Sequence, residues 1–531
     1  MSLWRNGHMG CVQTATIQGV EAVPVTVEVS IGQGLPGISI VGMPDIAVQE
    51  ARLRVRLALL AAGYKVPNVH AVVNLAPSSL RKSGSGFDLP IALGFLVATG
   101  QIAPVLVEGR LCVGELSLDG SVRAVKGLLA FEKLAHDSGL VLLTGLVERG
   151  VYSVEQQRHA CLTSLEDLHD GHFTTPKDRT DKEVTADRDF CEIDGNDLAK
   201  RALQIAAAGS HGILLIGPPG SGKSMMAARL PTILPQLSEG ERIESAMIHS
   251  VAGLPFDALL AGYQPFRAPH HSASRAGILG GGSPPQPGEV SLAHNGVLFL
   301  DEMPEFGSVV LQMLRQPIET GTVSLARARG TTVFPARFLL IGAANPCPCG
   351  YYGDSQRACR CTPAQIVNYQ SRIGGPLMDR FDLVVKVWRS DPSQVLRTGH
   401  GTSSASLLDG VLNARAFKAL REQKGLAATG MCQEGAAAPT PGVTRECAVA
   451  PEWLSSPASG KGMRLIASCG LGGSEQGFLE DAARHYHLSG RGIMRALAVA
   501  RTIADIEQQE KVSVEHLLEA VTFRADTEEE Q

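Results

Sequence analysis

A chain of 531 residues is long enough for about three domains and a large buried core. Its 44% hydrophobic and 19% charged residues, with no apolar run that would span a bilayer and no apolar leader in MSLWRNGHMGCVQTATIQG, argue against membrane insertion and export and point to the cytoplasm. A net charge of −5 excludes a protein that coats nucleic acid through its bulk field, and 11 cysteines in such a chain leave metal binding or burial rather than a disulfide framework.

From Ala15 to Ile40 apolar and polar residues alternate, Val23, Val25, Val27 and Val29 against Thr26, Glu28 and Ser30, which predicts paired half-buried strands. Val48 to Ala62 is helix-like and Asn68 to Leu75 returns to strand. The runs KSGSGFDLPIA from Lys82 and GELSLDGSVR from Gly114 resemble the peptidase domain of Lon-type proteases. In that resemblance the nucleophilic serine falls on Gly86 and the partner lysine on Leu129, so acyl transfer has neither nucleophile nor base. Residues 1–173 are therefore expected to form a catalytically dead Lon-like α+β module, of the ribosomal S5 domain 2-like kind, used for docking or scaffolding. Ser83 and Ser85 remain the only refuge of a protease reading. The polar, charge-rich stretch 174–192 reads as a linker.

Leu198 to Ala208 is a small-residue helix leading to the apolar run Ile213 to Ile216, a buried parallel strand by composition. Gly217, Pro218, Pro219, Gly220, Ser221, Gly222, Lys223 and Ser224 then match the phosphate loop G-x-x-x-x-G-K-[ST]. Its glycines let successive N–H groups converge on an anion, Lys223 reaches the β- and γ-phosphates of ATP, and Ser224 can ligate Mg²⁺. A second apolar strand, Gly296 to Leu300, ends in Asp301 and Glu302. Asp301 is expected to reach Mg²⁺ through its water shell, and Glu302 to orient and polarise the attacking water. The strand Phe338 to Ala344 ends in Asn345, which can hold the same water or simply make a turn.

The Gly- and Pro-rich loop Leu254 to Pro287 carries adjacent His270 and His271, which lack ligands at a useful spacing and read as structural. Thr322 to Phe338 alternates like a β-hairpin turning at Gly330, with Arg327 and Arg329 suited to phosphates rather than base edges. Cys347, Cys349, Cys359 and Cys361 can close a tetrahedral zinc site, although one residue within each pair is a narrower spacing than usual; the alternative is buried reduced thiols.

The runs PFRAPHH from Pro265, PGEVSLAH from Pro287, NPCPCG from Asn345 and PLMDRFD from Pro376 are similar to the YifB/ComM group of AAA+ ATPases, the magnesium-chelatase-like competence proteins. The resemblance implies a P-loop α/β core with a parallel sheet over residues 193–390 and a helical lid over 474–531; the small-residue stretch within 391–473 departs from the helical continuity expected of the family and reads as a variable, partly disordered insertion. It also implies a homo-oligomeric ring, a hexamer, that hydrolyses ATP to move branched or single-stranded DNA and drives branch migration when transforming DNA recombines. Arg380 corresponds to an arginine finger given in trans, with Arg372 in reserve, Arg491 resembles the lid's sensor arginine with Arg495 beside it, and the Arg327 hairpin projects into the pore. Within the insertion Leu407 to Lys424 is helix-like, and Glu475 to Arg524 suggests three short helices. The alternatives are the motor subunit of a chelatase that inserts Mg²⁺ into a porphyrin and, further off, an ATP-dependent protease.

Overall fold

The computed structural model describes residues 9–32, 35–147, 159–176, 188–327, 330–354, 356–373, 375–389, 401–428 and 460–525. They fall into two compact units, one comprising Met1–Val184, Arg242–Ala261 and Gly282–Pro287, the other Thr185–Glu241, Gly262–Gly281 and Gly288–Gln531. The linear boundaries read from sequence do not express this division, because two excursions of the ATPase half belong to the first unit.

In the first unit a seven-stranded sheet runs in the order Gly37–Val41, His70–Ala76, Glu21–Gly32, Met9–Gln18, Arg110–Cys112, Val141–Thr144, Ala160–Cys161. Met9–Gln18 and Glu21–Gly32 pair antiparallel around a turn in which Gly19 takes φ 68°. The alternation seen in sequence is the pleat, with Val25, Val27 and Val29 facing the core. Helix Asp88–Ala98 is buried along its whole length. It can approach the sheet closely because a Cβ on Gly10 would stand 2.1 Å from the carbonyl oxygen of Gly94. Asp88 is paid no solvent and is instead held by both arms of Arg54, at 2.8 and 2.9 Å.

Two polar residues of the peptidase-like run are bonded within the unit. Ser85 Oγ donates to the Glu115 carboxylate, and Lys82, fully buried, donates to the carbonyl of Pro77. Leu129 packs into an apolar cluster with Ala246, Met247 and Leu259 from the excursion Arg242–Ala261.

The second unit is built on a five-stranded sheet in the order Phe266–Arg267, Gly296–Leu300, Phe338–Ala344, Ile213–Ile216, Leu383–Lys386, every pairing parallel. Side-chain alternation feeds two apolar layers: Ile213, Leu215, Phe299 and Ile341 face one, Leu214, Leu298, Leu300 and Leu340 the other. The first layer also takes in the C-terminal helices Gly473–His485, Gly490–Ile506 and Val514–Ala525, through Leu479, Leu497, Ile503 and Leu517.

Within 391–473 the helix-like run Leu407 to Lys424 is a 25-residue helix, Ser404–Ala428, and a second helix, Gly460–Cys469, follows. Leu407, Val411 and Ala414 recur on one helical face and are buried with Leu203 in the main core. Residues 429–459 lie outside the described part, as does most of the linker; its end is not extended chain, since Asp189 and Glu192 form a capping box that seats Phe190 in the core. The hairpin forms, Thr322–Arg327 pairing with Gly330–Pro335, but Arg327 faces Gly330, so Gly330 opens the second strand and is not the turn residue.

Candidate active site

All five parallel strands end on the same edge of the sheet, where open α/β proteins bind their ligands. Ile213–Ile216 leads into the phosphate loop, and helix Lys223–Arg229 begins at its lysine. The loop can fold this tightly because Gly220 and Gly222 take φ 78° and 87°, and because a Cβ on Gly217 would lie 2.1 Å from the carbonyl oxygen of Val387. Lys223 Nζ points back over the loop, donating to the carbonyls of Gly217 (2.6 Å) and Pro218 (3.0 Å) and to Asn345 Oδ1 (3.3 Å). Burial lowers its pKa to about 8, with the Asp301 and Glu302 charges opposing the shift. Ser221 Oγ is buried in the loop with no hydrogen-bond partner among the described residues, which suits a site built to take phosphate oxygens.

The second strand brings its carboxylates to the same place. Ser224 Oγ donates to Asp301 Oδ2 at 2.7 Å, although the two are 77 residues apart. Asp301 Oδ1 accepts from the Glu302 backbone N–H at 2.9 Å, and Glu302 takes a left-handed backbone, φ 50°. Asn345 follows Phe338–Ala344 and meets Lys223. The structure therefore gathers Lys223, Ser224, Asp301, Glu302 and Asn345 around one loop.

The loop after Phe266–Arg267 adds what sequence reasoning set aside. His270 and His271, expected to be structural, line an open cleft of about 250 Å³ with Ala268, Pro269, Phe299, Asp301 and Glu302. His271 Nδ1 lies 3.5 Å from Glu302 Oε2, and the two imidazoles pack with centroids 4.1 Å apart. The sequence signal was present in the PHH run, but only the sheet order puts it beside the Glu302 strand. Arg389 was also missed: its guanidinium donates to the carbonyl of Pro219 at 3.3 and 3.1 Å.

The arginines assigned by resemblance lie elsewhere. Arg380 precedes Leu383–Lys386, next to Gly212 at the start of the phosphate-loop strand, hence at the opposite end of the sheet from the loop. With a strand rise of about 3.3 Å per residue that is about 13 Å from the phosphate loop of its own chain. Its guanidinium is 3% exposed and pairs with Glu319. Burial together with the neighbouring Arg495, Arg491 and Arg315 lowers its pKa to about 10. Exposed Arg491 thus stands with Arg380. Arg495 is buried, Nε 3.8 Å from Asp382 Oδ1, and Asp382 in turn meets His211 (3.1 Å), which bonds Thr502 (2.8 Å). That network ties the lid helix Gly490–Ile506 to the starts of two strands. Arg372 is half-exposed, 3.5 Å from Glu305. Arg327 is exposed at the hairpin end, whereas Arg329 lies outside the described residues.

Three family models match along the chain: subunit ChlI of Mg-chelatase over residues 27–143, magnesium chelatase subunit ChlI over 189–395, and the magnesium chelatase subunit ChlI C-terminal region over 401–524. The chain is 39% identical over 526 residues to the Escherichia coli protein named YifB and 37% identical over 529 residues to the Haemophilus influenzae competence protein ComM, covering 97% of each. A 67 kDa magnesium-chelatase subunit of Chlorobaculum parvum is 30% identical over 159 residues, 30% of this chain and 23% of that one. With the phosphate loop, the paired carboxylates and the helical C-terminal region in place, the chain belongs to the YifB/ComM family of magnesium-chelatase-like AAA+ ATPases.

Proposed function

We propose that the protein is an ATP-driven ring motor, a hexamer, that remodels branched or single-stranded DNA and drives branch migration during recombination of transforming DNA. The observation that carries the ATPase part is the convergence of Lys223, Ser224, Asp301, Glu302 and Asn345 at one end of a parallel sheet. In this reading the loop N–H groups and Lys223 bind the β- and γ-phosphates, Glu302 takes the proton of the attacking water, and Asn345 orients that water. Ser224 Oγ and Asp301 Oδ2 are adjacent hard oxygens that fit Mg²⁺, which when bound neutralises charge on the phosphate oxygens.

The ring part rests on where the arginines stand. Arg380, with Arg491 and Arg315 beside it, stands at the other end of the sheet from its own phosphate loop, so in this reading it acts on a neighbour's nucleotide once the Arg380–Glu319 pair opens. The DNA part is supported by the name of the competence relative and by Arg327 on an exposed hairpin, a phosphate contact without base readout. No helix among the described residues is long and apolar enough to cross a membrane.

The test is the ATPase rate of the purified protein with and without four-way DNA at several salt concentrations. Stimulation that fades steeply with salt is expected, and Glu302→Gln should keep ATP binding while losing about 10²-fold or more in turnover and all strand displacement. Hydrolysis indifferent to DNA but raised by a chelatase subunit would favour the metal-chelatase motor instead.

A further inference from the structure

The chain turns twice through a Cys-x-Cys pair after Asn345, and folding brings the Sγ atoms of Cys347, Cys349, Cys359 and Cys361 within 4.8 Å of one another. Three of the separations are 3.4, 3.7 and 3.6 Å. A disulfide would require about 2.0 Å. Four sulfurs each about 2.3 Å from a shared centre stand about 3.8 Å apart at the corners of a tetrahedron, and the observed edges match that figure. The local backbone is arranged for anionic sulfur as well. Cys361 N–H is directed at Cys359 Sγ at 3.4 Å, and the N–H groups of Arg360 and Tyr351 are directed at Cys349. Cys347 is fully buried and the other three are half-buried, so the cluster is closed on one side.

We propose that these four thiolates hold one structural zinc ion, and that the metal loop serves as a clamp on the phosphate loop. Sulfur-only tetrahedral ligation suits zinc, with iron the competitor that the metal analysis separates, and with all four positions filled by protein a zinc ion would activate no water. The clamp is made at two points. Gly350, inside the loop at φ 83°, lies so close to Pro219 that a Cβ there would stand 2.6 Å from the ring. Arg389 bonds the carbonyl of Pro219 and is itself held from the metal loop, by Asp354 at 3.9 Å and by the ring of Tyr351 at 5.4 Å. Asn345, two residues before the first thiolate, is fixed by the same anchor. The metal assignment stands apart from the ATPase reading, whereas the clamp rests on it.

Full-length protein purified without added metal or chelator should contain about one zinc per chain by plasma mass spectrometry, and growth on cobalt should yield the intense visible bands of a tetrahedral cobalt thiolate. C359S/C361S should lose both; should that variant not fold, the metal content and cobalt spectrum of the unaltered chain still decide. Zinc below about a tenth of the chain concentration, iron in its place, or a mass lower by four hydrogens through disulfide formation overturns the site. Stripping zinc with a chelator should weaken binding of a fluorescent ATP analogue about tenfold, reversed on zinc return. Unchanged binding after verified metal loss overturns the clamp alone. A zinc-loaded chain that binds no nucleotide at all sinks the ATPase reading and with it the clamp, and leaves the metal site standing.

Discussion

Glu302 holds a left-handed backbone that costs a residue with a Cβ about 1–2 kcal/mol, and it does so at the site where the proposed water would be activated for attack on the γ-phosphate. The Asp301 carboxylate bonding the Glu302 N–H offsets that cost, and the strained turn aims the Glu302 side chain toward His271 rather than along the strand. In the proposed ATPase, His271 is therefore a positioning residue for Glu302. His271→Ala is expected to lower turnover about tenfold with ATP affinity within about twofold, read as a split between kcat and nucleotide Kd; a loss of affinity with normal turnover would remove His271 from this role. Lys223 gives a pH prediction. Burial brings its pKa to about 8 in the free chain, so the proton leaves as pH rises through that value, and only the charged form attracts phosphate. Affinity for ATP should fall about tenfold between pH 7 and 9, measured with a fluorescent analogue at fixed ionic strength. A flat profile would show that Lys223 stays charged throughout.

Helix Leu128–Asp137 of the first unit buries one carboxylate with a histidine, Glu132 Oε1 lying 3.9 Å from His159 Nδ1. Burial pushes Glu132 up to about 8 and pulls His159 down, so both are neutral near pH 7. The folded state then binds more protons than the unfolded one between the ordinary carboxylate range and about 8. The stability that neutral Glu132 contributes is complete at low pH and is lost as pH rises through about 8. Above the ordinary histidine range, near 6.5, His159 contributes no opposing slope. The urea midpoint should thus fall from pH 6.5 to pH 8.5, and Glu132→Gln should flatten it; an unchanged slope in the variant would assign the effect to other groups. At the same scale, helix Ser404–Ala428 is legible in the helical spacing of Leu407 to Lys424, while its packing partner is not: Leu407, Val411 and Ala414 reach Leu203, some two hundred residues away, in the core.

In the proposed ring, the separation of Arg380 from its own phosphate loop makes activity a property of neighbours. Lys223→Ala and Arg380→Ala should each be inactive alone. Mixed in equal amounts and assembled at random, they should regain about a quarter of the unaltered rate, because that fraction of interfaces pairs an intact loop with an intact arginine. No recovery in mixed assemblies of confirmed stoichiometry would place both groups in one chain's site. If Glu319 restrains Arg380 until assembly, Glu319→Gln should raise the ATPase rate at low protein concentration, and an unchanged rate would show that this pair imposes no restraint.

The sequence by itself determined the local devices: an apolar strand running into a glycine-rich loop, carboxylates at the end of a second strand, a hairpin before a third, two Cys-x-Cys turns. These are legible because their physics is short-range, governed by φ preferences, side-chain alternation and the reach of one side chain to its own backbone. Tertiary structure decided what meets what. Sheet order carried Asn345 to Lys223 across 122 residues, set His271 beside Glu302, and left Arg380 and Arg491 together at the far end. It also gathered four thiols spaced along a loop to within 4.8 Å of one another. Contacts between distant residues depend on which strands neighbour each other and on how closely helices can pack on them, and neither quantity is written in any single stretch of chain.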